Sequence, residues 1–245
     1  MNLQHKFLLI TLIVFTTIPC RSQNRYIDFG LGVKYDHFTV TQPESVFKTN
    51  FDMGALAFVN YGQKINDKLG WEAGIATNNY KINLRINDPD GTTIYAPREL
   101  VSVMRSNRLY LNLQHATKKI NNKLSWYNTV GVSLLFGTKN PYDVILEKSK
   151  EVETSSGNKS ILVRIQTFGL TGSAILLGAS SRLSYTINKD FNLLCNLGIM
   201  SGTGTLTKTE INYVLSGGSN YKKAIIATNG LSFSLTFGVR YLVNK

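Results

Sequence analysis

The sequence predicts an all-β protein: an eight-stranded antiparallel up-and-down transmembrane β-barrel. Three observations predict it. Three short polar turns nearly repeat one another along the chain; the segments beside them alternate apolar and polar residues; and long polar connections separate one turn from the next. No stretch beyond residue 22 approaches 18 consecutive apolar residues, so any membrane crossing is made by strands.

Taken in order, residues 1–22 have the form of an export leader. His5 and Lys6 precede an apolar run from Phe7 to Ile18, and Cys20-Arg-Ser22 sets small residues before a cut at Gln23. That run has the length of a signal-peptide core and is shorter than the roughly 20 residues of a spanning helix. The alternative is a lipoprotein acylated on Cys20, but Thr17 and Pro19 stand where an apolar and a small residue are usual. Residues 23–245 then form one barrel domain.

Eight strands are expected at 25–40, 53–65, 69–84, 103–117, 123–138, 174–187, 190–206 and 230–243. The first sets Ile27, Phe29, Leu31, Val33 and Tyr35 opposite Asp28, Gly30, Gly32, Lys34 and Asp36. The fifth sets Trp126, Val130, Val132 and Leu134 opposite Ser125, Thr129, Gly131 and Ser133. The seventh opposes Phe191, Leu193, Cys195, Leu197 and Ile199 to Asn192, Asn196 and Gly198. The last alternates without a break from Leu231 to Val243, with Ser232, Ser234, Thr236, Gly238 and Arg240 on its polar face. Successive side chains of a strand point to opposite faces, so each of these has one greasy and one polar side. The matches at 53–65, 69–82 and 104–117 are weaker, and Leu109, Leu111 and Leu113 run out of phase with Ile120, which implies a bulge or a longer turn.

The connections are of two kinds. Lys64-Ile-Asn-Asp-Lys-Leu69, Lys119-Ile-Asn-Asn-Lys-Leu124 and Thr186-Ile-Asn-Lys-Asp-Phe191 are short, and 41–52, 85–102, 139–173 and 207–229 are long. Even strand number with short turns at one rim and long loops at the other is the outer-membrane pattern. Alternating runs inside the third and fourth loops mean either strands that project beyond the membrane or a count of ten.

A soluble barrel also has one greasy face. Three features place that face outside: a polar face of Gly, Ser, Thr and Asn; a chain that ends inside its final strand; and aromatic residues gathered at two levels. Tyr26, Tyr61, Trp71, Trp126, Tyr127, Tyr185, Phe191 and Tyr241 lie toward the turns, with Phe38, Tyr80, Phe136 and Phe233 toward the loops, as at two lipid–water interfaces.

The terminal Thr236-Phe-Gly238-Val-Arg-Tyr241-Leu-Val243 resembles the signal by which outer-membrane proteins are recognised by their insertion machinery, with Gly238, Tyr241 and Val243 as its marks; Asn244-Lys245 departs from it, since many such proteins end on an aromatic. Together with Ser22-Gln23 and the Ile-Asn-x-Lys-Leu turns, the chain resembles the small outer-membrane β-barrels of Bacteroidota-type bacteria, PorT-like and similar in architecture to the OmpA and OmpX barrels. The resemblance covers nearly the whole exported chain and implies a place in the cell outer membrane, contact with its lipid and with the insertion machinery, and little about activity.

Charge and chemistry narrow the function. The chain carries 27 Lys and Arg against 15 Asp and Glu, a net +12, of which the leader holds two. The basic residues form no cluster interleaved with aromatics, which together with export argues against nucleic acid and for an anionic membrane surface. Past the leader only Cys195 remains, so no intramolecular disulfide forms. His37 and His115 are expected at opposite rims, too far apart for one hydrolytic site, and no enzyme activity or cofactor is expected. Asn87-Asp88-Pro-Asp90-Gly91 hints at a calcium loop but has no bidentate Glu at loop position twelve. Asp28, Lys34, Asp36, Glu72, Arg108, Arg182 and Arg240 fall on the polar face and are expected to pair as an ionic plug in a lumen only wide enough for side chains. The expected role is structural or surface recognition through loops 139–173 and 207–229, where Lys148, Lys150, Lys159, Lys222 and Lys223 are positioned to meet an anionic glycolipid. A small solute channel, an assembly or secretion factor and, last, a lipid-modifying enzyme are the alternatives.

Overall fold

A computed structural model describes residues 25–49, 53–88, 90–104, 106–137, 146–154, 157–168, 173–215 and 220–243; the expected leader lies outside them. Eight strands close a barrel: β1 (Arg25–Asp36), β4 (Met53–Lys64), β5 (Leu69–Thr77), β8 (Ser106–Lys119), β9 (Leu124–Gly137), β12 (Ser173–Thr186), β13 (Phe191–Gly202) and β16 (Ser232–Val243). Each pairs antiparallel with its sequence neighbours, and β1 meets β16 from Arg25↔Val243 to Asp36↔Ser232. The eight expected strands are therefore the eight of the barrel. The expected irregularity is a bulge in β8, where the register against β9 shifts between Ala116 and Lys118.

The three repeated turns share one device. Asn66 Oδ1 accepts from the backbone N–H of Lys68 and Leu69 at 2.9 and 2.8 Å, and Asn121 does the same for Lys123 and Leu124 at 2.8 Å each. Asn188 Oδ1 accepts from Asp190 and Phe191, both at 2.9 Å. A short amide side chain that caps the backbone two and three residues on holds the turn without help from the rest of the fold.

The greasy face is outside. Leu31, Val130, Leu177, Leu197 and Phe237 are 58–70% exposed around a closed barrel, whereas Asp28, Lys34, Glu72, Arg182 and Arg240 are buried within it. A belt of that kind has no stable partner in water and matches the hydrocarbon of a bilayer.

All four long connections carry strands: of the two alternatives for the alternating runs in the third and fourth, projection beyond the barrel holds, and the barrel does not gain a ninth and tenth strand. Among the described residues they carry eight more strands: β2 (Thr39–Thr41), β3 (Phe47–Thr49), β6 (Tyr80–Asn87), β7 (Thr93–Met104), β10 (Leu146–Thr154), β11 (Gly157–Phe168), β14 (Thr207–Leu215) and β15 (Lys222–Thr228). These form a five-stranded sheet, β10-β11-β14-β15-β2, and a three-stranded sheet, β3-β6-β7. The expected strands 69–84 and 103–117 thus break in two, the first after Thr77. There Asn78 N–H donates to Ser106 C=O at 2.8 Å, and the chain leaves the barrel for the outer sheets. Val46, Phe47, Ile82, Leu84, Ile86 and Ile94 from the smaller sheet's side pack against Ile161, Val163, Ile165, Ile211, Tyr213 and Ile226 of the larger one. Rings of Phe47 and Tyr213 meet edge-on, centroids 4.9 Å apart. The outer connections are one folded head with its own dry core.

Candidate functional site

The lumen is built in three layers. Nearest the turn rim, two carboxylates and two guanidinium groups neutralise one another. Arg240 donates from Nε to Asp28 Oδ1 at 2.8 Å and from Nη2 to Asp28 Oδ2 and Glu72 Oε1, both at 2.9 Å. Arg182 grips Glu72 through both terminal nitrogens, with Nη2 to Oε2 at 3.1 Å, and reaches Asp28 Oδ2 at 3.4 Å. Asn60 donates to Asp28 at 3.3 Å. The Arg240 guanidinium lies 3.5 Å from the centre of the Tyr26 ring, and the Tyr26 hydroxyl is 2.8 Å from Gln114 Oε1. These contacts come from six strands, so the cluster ties the barrel across its width. Space for it comes from a missing side chain: a Cβ on Gly62 would overlap the Tyr26 ring.

Above the cluster lies a cavity of about 70 Å³. Arg108, Asn112, Ser133, Ser180, Asn196 and Thr236 are among its polar lining, with Phe58 and Tyr110 on one wall. The Arg108 guanidinium sits against Met200 Sδ and 5.4 Å from the Tyr110 ring centre.

At the outer end the lumen is capped by Tyr80, Leu135, Leu176, Met200 and Leu206, which bury one another. Beside them Lys34 pairs with Asp36 at 2.9 Å and lies 3.9 Å from the Tyr80 ring centre. Phe38 packs on both this cap and the core of the head, joining the two.

Not every expected placement holds. The single charge network expected from Asp28, Lys34, Glu72, Arg108, Arg182 and Arg240 divides into three: a four-membered cluster, the Lys34–Asp36 pair and Arg108 with no carboxylate among the described residues. The cause is height: a tilted strand spreads its inward positions along the barrel axis, beyond the reach of one ion pair. Tyr26 and Tyr80, expected at the lipid interfaces, are buried in the lumen. The phase of β1 carried that signal for Tyr26, an even position like Asp28. Of the expected turn-side girdle, Trp126 and Tyr185 are exposed, and Trp126 Nε1 donates to Ser181 at 2.6 Å. Trp71 stands on the same outward phase as Ile75 but is only 6% exposed, its ring 5.6 Å from that of Tyr61. Tyr241 is exposed and stacks obliquely on Phe191 at 5.2 Å, while Gly238 lies where β16 and β1 come so close that a Cβ would meet Phe29 C=O.

Three of the head lysines expected at the glycolipid make ion pairs within the head. Lys159 bridges Asp88 and Asp90 at 3.2 Å each, Lys223 meets Glu210 at 2.6 Å, and Lys222 meets Glu44. The suspected calcium loop is a turn whose two carboxylates share a lysine; Gly91, at φ +93, closes it with an N–H bond to Asp88 C=O at 2.9 Å. No group of three or more potential metal ligands occurs among the described residues. His115, paired in register with Leu69 and Asn128, lies by the turns, whereas His37 donates its N–H to Leu231 C=O at the other rim.

No protein-family model matches the sequence, and no curated protein matches it. The fold is similar to the crystal structure of the outer membrane protein OprG from Pseudomonas aeruginosa, with a TM-score of 0.54 and 11% identity over 91% of this chain and 98% of that one. Neisserial surface protein A aligns at a TM-score of 0.47 with 11% identity, over 89% of this chain and 97% of its own. The outer membrane protease OmpT of Escherichia coli aligns at 0.43 with 9% identity, over 93% and 99%. The likeness to OprG is one of fold: a closed transmembrane barrel of the outer-membrane kind.

Proposed function

We propose that this chain is a non-enzymatic outer-membrane barrel that holds a folded recognition head on the cell surface. One observation carries the reading. The lumen is shut below by the Asp28–Glu72–Arg182–Arg240 cluster and above by Tyr80, Leu135, Leu176, Met200 and Leu206, while all four outer connections converge on the head. A solute channel needs an open lumen, and an enzyme needs convergent catalytic groups; the two histidines past the leader stand at opposite rims. Residence in the outer membrane follows from the lipid-facing belt, with residues 1–22 as the export signal and Gly238, Tyr241 and Val243 as the marks read by the insertion machinery. Kinship with the Bacteroidota-type, PorT-like barrels rests on the turns and terminal strand.

The partner we infer is an anionic surface glycolipid. With Lys159, Lys222 and Lys223 in ion pairs within the head and Lys150 set over the Tyr95 ring, that contact falls to Lys148 on β10, an edge strand of the larger sheet.

Two measurements test the reading. Purified protein in planar bilayers is expected to show no stepwise conductance; steady open-channel current would overturn the closed barrel and favour a channel. Replacing the head by four short turns is expected to leave heat-modifiable migration on gels intact while abolishing retention on glycolipid-coated beads, and unchanged retention would remove the head from recognition.

A further inference from the structure

The charges inside the barrel do not cancel. Asp28 and Glu72 are matched by Arg182 and Arg240, and Asp36 by Lys34, which leaves the Arg108 guanidinium in excess among the described residues. The described groups it contacts are a thioether and an aromatic face, and none is a carboxylate. A guanidinium has five N–H donors and no acceptor, and a charge withdrawn from water is costly unless something of opposite sign accompanies it.

The cavity beside Arg108 is built to supply that partner. The Nε–H groups of both Arg108 and Arg182 are enclosed and meet no acceptor among the described residues, and both arginines line the same space. Ser133, Ser180 and Thr236 add hydroxyls that rotate to donate. At about 70 Å³ the space exceeds by several-fold the 10–15 Å³ a single water requires, so it admits an anion with part of its hydration shell. No carboxylate lines it. Two cationic donors without a described acceptor, orientable hydroxyls and one surplus positive charge describe an anion site.

We infer that the lumen cavity between the ionic cluster and the apolar cap binds a monovalent inorganic anion of halide size, held by Arg108. The site is independent of what the head recognises. It completes the neutralisation of the lumen.

Bromide is the probe. Protein refolded and crystallised in sodium bromide is expected to show an anomalous peak within hydrogen-bond reach of Arg108 Nε. Protein refolded in chloride is expected to melt several degrees above protein refolded in gluconate at equal ionic strength, and R108M is expected to erase both the peak and the difference. Water alone in the cavity, with equal melting in the two salts, overturns the inference; so does an R108M variant that keeps the chloride dependence. If R108M does not fold, R108Q serves in its place, and if neither folds the bromide peak in the unaltered protein decides. Gel retention on glycolipid-coated beads is expected to be the same in all these salts, which separates a failure here from a failure of the head's role.

Discussion

The barrel and the head use the same alternation and invert its meaning. In β16, Ser232, Thr236 and Arg240 are buried and Phe233, Phe237 and Tyr241 are exposed; in the five-stranded sheet, Ile161, Val163 and Ile165 of β11 are buried, and Arg164 between them is exposed. Period two specifies a strand with two unlike faces. Which face turns inward is decided by what surrounds the sheet: hydrocarbon draws the apolar side of the barrel out, and water drives that of the head in. Buried charge therefore holds one region and buried hydrocarbon the other.

Substitutions that treat the regions oppositely sharpen the contrast. The largest loss is expected from E72A, which strips Arg182 and Arg240 of a shared acceptor. Unpairing a buried ion costs about 3–5 kcal/mol, so the heat-modifiable transition on gels is expected to fall well below that of the unaltered protein; an unchanged midpoint would deny the cluster its structural role. I211A removes a fully buried side chain from the head. Large-to-small core changes cost about 2–5 kcal/mol, and protease is expected to open the head while the barrel keeps its folded migration. Loss of both together would make barrel and head one cooperative unit. L197R, on the lipid face, is expected to cost about 2–4 kcal/mol if the position lies near the midplane, read as a lower urea midpoint in lipid vesicles, whereas R164L on the exposed face of β11 is expected to change little.

The smallest effect is one of pH and belongs to the head. Asp90 accepts from Thr92 N–H at 2.9 Å, and this bond, with Lys159 beside it, holds its carboxyl down to about 2. A carboxylate whose folded value is depressed stabilises above its ordinary range and loses that contribution as pH falls through the folded value. Carbon-detected NMR of the carboxyl is expected to show the transition near 2, and D90N to leave the acid limb of head unfolding slightly flatter. A midpoint near the ordinary aspartate value would remove the turn as a fastener.

Much of the barrel was legible because its signals are local. Turns at Asn66, Asn121 and Asn188 set strand ends, and alternation from Leu231 to Val243 set facing. The head was less so: alternating runs in the third and fourth connections read as strands, but their packing did not, because the core joins residues from four separate connections, as where the rings of Phe47 and Tyr213 meet. Within the lumen, sequence gave the cast of charges without their heights, so Lys34 and Arg108 were grouped with residues they do not touch. Tyr26 shows the converse error: its own strand phase pointed inward, and grouping it by residue type with the interfacial aromatics put it outside.

The capped turns have a consequence in time. Each asparagine closes its hairpin from within, so β4–β5, β8–β9 and β12–β13 zip over short distances where the loop entropy to be overcome is small. The seam between β1 and β16 has no such help: Asp28 and Arg240, which lock it, are 212 residues apart. Until that seam shuts, a carboxylate and a guanidinium stand apart on the inward faces of two unpaired edge strands. Closure thus works as a latch, with each half of the pair an obstacle to every incomplete barrel and a clasp only for the finished one.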